Sequence, residues 1–141
     1  MMETALVEIR EYLGTGYKPL IDFGAWRVAI LRWEASMQPE RQQYMERHNQ
    51  TDEVFVLLGG QATLIIGGNG QVVDGFQVQA MECGKLYNVK LNTWHTVLLS
   101  RDASILIVEN CDTGEANTEY WMFTPEQRGM FLDLGGSIDE S

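Results

Sequence analysis

Two histidines and one glutamate are the residues of this chain best suited to form a reactive site. His48 and His95 are the only histidines in 141 residues, and Glu53 follows His48 after four intervening residues. Glu53 and His95 each begin an apolar run, EVFVLLGG and HTVLLS. A carboxylate at the inner end of a buried strand is costly to desolvate unless a cation or a polar ligand pairs with it. Two imidazoles and a carboxylate would suit a divalent Fe, Mn, Ni, Zn or Cu ion, with positions left open for a ligand.

Short apolar runs separated by turns predict the strands that would position these residues. The runs are rich in Val, Ile, Leu and aromatic residues, which favours an all-β sandwich or barrel over alternating strands and helices. The Gly-rich stretch 67–70 predicts a tight hairpin turn after a strand at 64–66. The other candidate strands lie at 26–33, 53–60, within 85–100 and at 104–110.

Helix signals are confined to the two ends of the chain. Leu6, Ile9 and Leu13 have the spacing of one helical face. The segment TPEQRGMFLDLGG starts with Thr124 as an N-cap, has Pro at the first helical position and Gln three residues after the cap, and ends in a glycine pair. These features predict a short helix near each terminus, the second closed by its two glycines.

Strand alternation predicts which side chains enter the barrel. If Glu53 faces the interior, Phe55 and Leu57 do so as well, and Val54 and Val56 face outward. Both faces of this strand are apolar. A second layer or a second subunit is therefore expected to cover the outer face.

The spacing around His48 resembles the first motif of the cupin superfamily. His48, Glu53 and Gly60 stand at the positions of the second His, the Glu and the Gly of that motif, and Glu46 stands where its first His is usual.

The segment that contains His95 resembles the second cupin motif. Gly84 and His95 stand at the Gly and the His of the motif. Lys90, Asn92 and Leu99 replace its usual Pro, Gly and Asn. The resemblance covers about residues 45–110 and includes both histidines of the chain.

The resemblance implies a double-stranded β-helix, or jelly-roll, barrel formed by a single domain over residues 1–141, often as a homodimer. It implies a divalent transition metal held by His48, Glu53 and His95. Glu46 is either a second carboxylate ligand, which would favour Fe, Mn or Zn over Cu, or a solvated loop residue. His48 and Glu53 could instead form a simple hydrogen-bonded pair, and His95 could be a satisfied core residue.

Further polar and aromatic residues are candidates for the wall of the pocket. Tyr44, Tyr87 and Trp94 could line its mouth, although packing in the core would explain aromatic residues equally well. Gln50 lies close to the motif in the sequence. Arg27 and Arg32 lie on opposite faces of one strand, so at most one faces the cavity, and Arg32 is taken as the candidate that would bind an anionic group.

The composition limits the partners of the protein. The net charge of −10 argues against nucleic acid and anionic membrane, because phosphate binding needs a basic surface. No apolar run reaches the length of a membrane span, and the N-terminus lacks a signal-peptide pattern, so a cytoplasmic location is expected. Cys83 and Cys111 are expected to be buried, reduced thiols.

Two classes of function fit these residues, both with a small-molecule ligand. The first is a metal-dependent enzyme of the isomerase, epimerase, lyase or dioxygenase type, in which Glu46 or Tyr87 would move protons. The second is a metal-free binding or sensor module that recognises a sugar or a small acid without catalysis. The fold alone does not choose between them.

Overall fold

Ten strands and one α-helix form the part of the chain that the structure describes. The structure is a computed structural model that describes residues 6–139, with side chains for residues 6–136. The strands are β1 (Gly16–Phe23), β2 (Trp26–Arg32), β3 (Tyr44–His48), β4 (Glu53–Gly59), β5 (Ala62–Ile66), β6 (Gln77–Ala80), β7 (Leu86–Val89), β8 (His95–Leu99), β9 (Ser104–Asn110) and β10 (Thr118–Met122). Helix α1 spans Pro125–Asp139, and short 3-10 turns lie at Ala35–Met37 and Glu115–Asn117.

The strands form two antiparallel five-stranded sheets. The first has the order β1-β2-β9-β4-β7 and the second the order β10-β3-β8-β5-β6. Apart from the pairs β1–β2 and β5–β6, which stay within one sheet, consecutive strands alternate between the sheets, as expected for a jelly roll. The predicted all-β jelly-roll fold is confirmed.

Two hydrophobic clusters stabilise this arrangement. The inner cluster fills the space between the sheets, and its fully buried members include Ala29 and Ile105. The outer cluster joins the second sheet to α1 through Met45, Leu98 and Phe131, each at most 1% exposed. Helix α1 therefore covers the outer face of the second sheet, and no corresponding element is described over the first.

The predictions for the two ends of the chain have different outcomes. The capping box at the start of α1 is confirmed, because the Gln127 amide donates to the Thr124 hydroxyl and the Thr124 amide donates to the Gln127 side chain. The helix continues past its two glycines to Asp139, so the predicted end is wrong. The predicted N-terminal helix is also wrong for residues 6–13, which lie outside any helix or strand. Leu6, Ile9 and Leu13 are 79%, 80% and 74% exposed, so no packing surface stabilises a helix there.

Two local predictions need correction. Strand β5 pairs with β6, so the connection is a loop over residues 67–76 rather than a tight turn at the glycines. Cys83 and Cys111 are free thiols, but Cys83 is exposed and Cys111 is half-buried, so neither is a core residue. None of the helices within residues 6–139 has the length and apolar character that crossing a membrane requires.

Candidate functional site

Strand ends bring His48, Glu53 and His95 together at one end of the barrel. His48 is the last residue of β3, and Glu53 and His95 are the first residues of β4 and β8. All three are buried, with 7%, 5% and 4% of their surface exposed. Nε2 of His95 lies 3.0 Å from Oε1 of Glu53, and Nε2 of His48 lies 3.2 Å from the same oxygen. The predicted inward orientation of the three side chains is therefore what the structure shows.

Nδ1 of each imidazole has a hydrogen-bond partner in the protein, and this orients Nε2 of each ring toward Glu53. Nδ1 of His48 lies 2.9 Å from the Thr118 hydroxyl, and Nδ1 of His95 lies 2.9 Å from the Thr93 carbonyl. A carbonyl only accepts hydrogen bonds, so Nδ1 of His95 carries a proton. Nε2 of His48 is buried and has no partner in hydrogen-bond geometry. This orientation is typical of histidines that bind a metal through Nε2.

The contact between His95 and Glu53 requires a positive charge. With its proton on Nδ1, a neutral His95 would direct the lone pair of Nε2 at a carboxylate oxygen 3.0 Å away. Either a second proton on the ring or a cation must offset that repulsion. Burial lowers the pKa of His95, but the hydrogen bond to Glu53 and its charge outweigh burial and raise that pKa overall. Burial raises the pKa of Glu53, yet its contacts with the two imidazoles bring it well below the usual range.

Glu46 lies at the edge of this group, across from His95. It is the residue of β3 paired with His95 of β8, and its Oε1 lies 3.6 Å from Nε2 of His48. Its side chain is 38% exposed, and burial raises its pKa. The possible ligand atoms of Glu46, His48 and His95 all lie within 4.8 Å of one another. Glu46 is therefore within reach of a shared cation and of solvent.

A further acidic residue in the cavity, Glu109, was not predicted from the sequence. It is 6% exposed, accepts a hydrogen bond from the Tyr17 hydroxyl, and has Oε2 3.8 Å from Nη1 of Arg27. Burial and the charge of Glu53 raise the pKa of Glu109 to about 7. Its signal was present in the sequence, because Ile105 and Ile107 precede it at the inward positions of β9.

The candidate pocket residues divide between the cavity and other parts of the fold. The cavity measures about 540 Å³, and Tyr44 and Phe55 line it together with the His–Glu group. Tyr120 also lines the cavity, and its ring meets that of Tyr44 edge-on with centroids 5.3 Å apart.

Gln50, Arg32, Trp94 and Tyr87 do not line this cavity. Arg32 lies on the outward face of β2, and Arg27 is the arginine of that strand that reaches the cavity. Trp94 belongs to the outer cluster beneath α1. Tyr87 lines a separate cavity of about 370 Å³.

The replacement of Gly by Asn92 in the second motif has a structural reason. Asn92 has a φ of +62°, in the left-handed region that glycine usually occupies. Asparagine adopts this conformation more readily than other side-chain-bearing residues. The turn required before His95 is thus retained, and the Asn92 amide donates to the carbonyl of His48 at 2.8 Å.

Comparison with known proteins finds similarity of structure only. No protein-family model and no curated protein matches the chain. Among solved structures, it is similar to Pac13, described as a nucleoside dehydratase, with 11% identity, a TM-score of 0.55, and coverage of 82% of this chain and 87% of that one. A variant of Streptomyces PAC13 with uridine also has 11% identity and a TM-score of 0.55, covering 84% and 97% of the two chains.

Two further structures extend this similarity. KdgF from Halomonas has 12% identity and a TM-score of 0.50, covering 69% of this chain and 78% of that one. A cupin-2 domain protein from Shewanella frigidimarina has 19% identity and a TM-score of 0.49, covering 70% and 84%. At such identities, the similarity is one of fold.

Proposed function

We propose that this chain, which has the fold of the cupin superfamily, holds a divalent transition metal in its barrel and uses that centre to bind or convert a small molecule. The observation that carries the proposal is the convergence of two buried Nε2 atoms on one oxygen of Glu53, at 3.0 and 3.2 Å. Both Nδ1 atoms have partners, and Nε2 of His48 has no hydrogen bond. A bound cation is one of the two ways to supply the positive charge that this arrangement requires, and a second proton on the imidazole is the other.

The donor set fits such an ion. His48, His95 and Glu53 would supply two imidazole nitrogens and a carboxylate, which suit Fe, Mn, Ni or Zn. Glu46 lies close enough to add a second carboxylate, as its distance of 3.6 Å from His48 indicates. When bound, the metal would polarise an oxygen of the ligand. The cavity above this group, about 540 Å³ in volume, has the size of a small-molecule site.

The chain's own residues would orient the ligand and move protons. Glu46 is half-exposed at the cavity, and burial raises its pKa, so it is the carboxyl best placed to exchange a proton with a bound molecule. Tyr44 and Tyr120 line the same cavity and would offer ring faces and hydroxyls to the ligand. Tyr87 lies at the separate cavity of about 370 Å³, so it is no longer a candidate for proton transfer at this site.

Metal content tests the proposal. The protein would be purified without an affinity tag or chelator, and its metals measured by elemental analysis. We expect near-stoichiometric Fe, Mn, Ni or Zn in the wild type, and its loss in His48→Ala and His95→Ala. Glu40→Gln, a change of an exposed loop acid, is the matched control and should retain the metal. Circular dichroism would verify that each variant is folded.

A metal-free binding module is the second candidate, and one observation favours it. Nε2 of His95 and Oε1 of Glu53 are already at hydrogen-bond distance, 3.0 Å, so a proton on the ring would satisfy both. This candidate predicts no metal even after incubation with each ion. Native mass spectrometry would then be used to look for a co-purified sugar or small acid. Retention of metal by His95→Ala would instead refute the ligand set.

A further inference from the structure

The cavity that Tyr87 lines, here called the second cavity, lies between the edge strands β6 and β7. Its volume is about 370 Å³, near the lower end of the range for small-molecule sites. It has no lining residue in common with the cavity above the His–Glu group, here called the first cavity. Strands β6 and β7 are edge strands of the two sheets. The second cavity therefore lies where no further strand joins the sheets.

Strand β6 has an inverted pattern of polarity, and this observation marks the second cavity as a site. Gln77 pairs with Ile66, and Gln79 pairs with Leu64. Leu64 belongs to the inner cluster and Ile66 packs against it, so both glutamines face the inside of the barrel. Val78 lies on the opposite face and is 51% exposed. A strand with one solvated face normally has the reverse order, and departures from that rule are expected at functional sites.

Several polar groups around the second cavity have unused hydrogen-bonding capacity. The Tyr87 hydroxyl accepts a hydrogen bond from the Glu82 amide at 2.9 Å, and within residues 6–136 its own proton has no acceptor. Over the same range, the side chains of Gln77 and Thr93 form no hydrogen bond. All three groups can donate to an oxygen. A ligand with acceptor oxygens would therefore satisfy them.

The charge of the second cavity favours an anion. Lys90 is the single charged residue among the described residues that line it, and Lys90 forms no salt bridge with them or with any other described residue. Asp52 interacts with Lys90 electrostatically, but its two oxygens already accept hydrogen bonds from the Asn88 side chain and the Leu91 amide. The chain as a whole has a net charge of −10. A cavity that offers one cation and no carboxylate in such a chain favours a ligand with a single negative charge.

We propose that the second cavity binds a small monocarboxylic acid with an apolar body. The apolar body would pack on Leu64, Ile66 and Val89, which form the apolar part of the lining toward the inner cluster. The carboxylate would accept a hydrogen bond from Tyr87 and pair with Lys90. The site depends neither on a metal nor on what the first cavity binds.

Isothermal titration calorimetry of the protein as purified tests this site. The probes are benzoate, phenylacetate and hexanoate, which differ in their apolar bodies, and each is compared with its neutral amide. We expect at least one acid to bind at one site per chain, its amide to bind roughly tenfold more weakly, and the affinity of the acid to fall as salt is added. No binding by any of the three acids, or equal binding of acid and amide, overturns the proposal.

Variants assign the binding to the second cavity. Lys90→Gln and Tyr87→Phe should each raise the dissociation constant of the acid roughly tenfold. Lys90 is exposed, so its replacement does not act by unfolding the chain. Lys18→Gln, which removes the same charge from an exposed position of β1, is the matched control and should leave the constant unchanged.

Two results would place the acid elsewhere and overturn the proposal. Arg41 is an exposed cation that lines the first cavity. Binding that is lost in Arg41→Gln but retained in Lys90→Gln would assign the acid to the first cavity. Binding that a chelator abolishes would assign it to a metal centre.

Discussion

Glu109 offers a quantitative test of the electrostatics in the cavity. Its carboxyl is buried, and burial together with the charge of Glu53 raises its pKa to about 7 from an ordinary 4.5. Tyr17 donates a hydrogen bond to it and Arg27 lies 3.8 Å away, but these contacts do not restore the ordinary value. Glu109→Gln keeps the shape of the side chain and an acceptor for Tyr17, and removes the ionisation. We therefore expect the variant to be more stable than the wild type at alkaline pH.

The sign and size of the effect follow from proton linkage. Between the unfolded pKa of Glu109, near 4.5, and its folded pKa of about 7, the folded state holds a proton that the unfolded state has lost. Stability of the wild type therefore falls as pH rises through this window. A pKa unit corresponds to about 1.36 kcal/mol, so the full loss is about 3 kcal/mol. Between pH 5.5 and pH 8, the advantage of Gln should grow by about 2 kcal/mol.

Urea unfolding of wild type and Glu109→Gln, followed by circular dichroism between pH 5.5 and pH 8, would measure this difference. The range avoids acid precipitation near the sequence pI of about 4.5. A chelator keeps the protein free of cations that would offset the carboxylate charge. For Glu40→Gln, a change at an exposed acid, the free energy of unfolding should vary with pH in parallel with that of the wild type. Parallel profiles for wild type and Glu109→Gln would refute the claim that Glu109 is neutralised by burial.

Two further predictions concern two glycines with positive φ and the hydrogen bond that orients His48. Gly60→Ala should destabilise the fold by roughly 3 kcal/mol and Gly84→Ala by only about 1 kcal/mol. Both glycines have a positive φ, but only at Gly60 would the new Cβ lie 2.6 Å from a backbone atom, Cα of Ala103. Equal losses of stability in urea unfolding would contradict the steric argument. Thr118→Val removes the partner of Nδ1 of His48 and should weaken metal affinity by roughly 10- to 100-fold. Competition with a chelator would measure this, and an unchanged affinity in a folded variant would show that Thr118 does not orient the ring.

The inward orientation of Glu53 and His95 was predictable because it rests on local rules, and the resemblance to the cupin motifs implied that they meet His48. Each residue lies at the end of a strand, and a period of two decides which side chains share a face. The same rule would have found Glu109, which continues the inward series of Ile107 and its predecessor on β9. Glu109 stands in neither motif, and the apolar residues before it are typical of an ordinary core strand.

The choice of Arg32 over Arg27 shows where local rules stop. Alternation places the two arginines on opposite faces of β2, and that much was predicted from the sequence. Which face of β2 points into the barrel depends on the neighbouring strand β9, where Glu109 pairs in register with Arg27. A shift of one residue in that register would exchange the two faces, so only the pairing between distant segments decides the matter.

Tertiary packing also decided the roles of the aromatic residues and of the N-terminal segment. Trp94 lies in the core because α1 covers the second sheet, and nothing near Trp94 in the sequence specifies that contact. Leu6, Ile9 and Leu13 have the spacing of a helical face, yet residues 6–13 lie outside any helix. The sequence by itself indicated strands β2, β4, β5, β7, β8 and β9 and the donor residues, since these depend on neighbours along the chain. Only the tertiary structure decided which strand faces enclose the cavity and which remain open, because that depends on contacts between residues far apart in sequence.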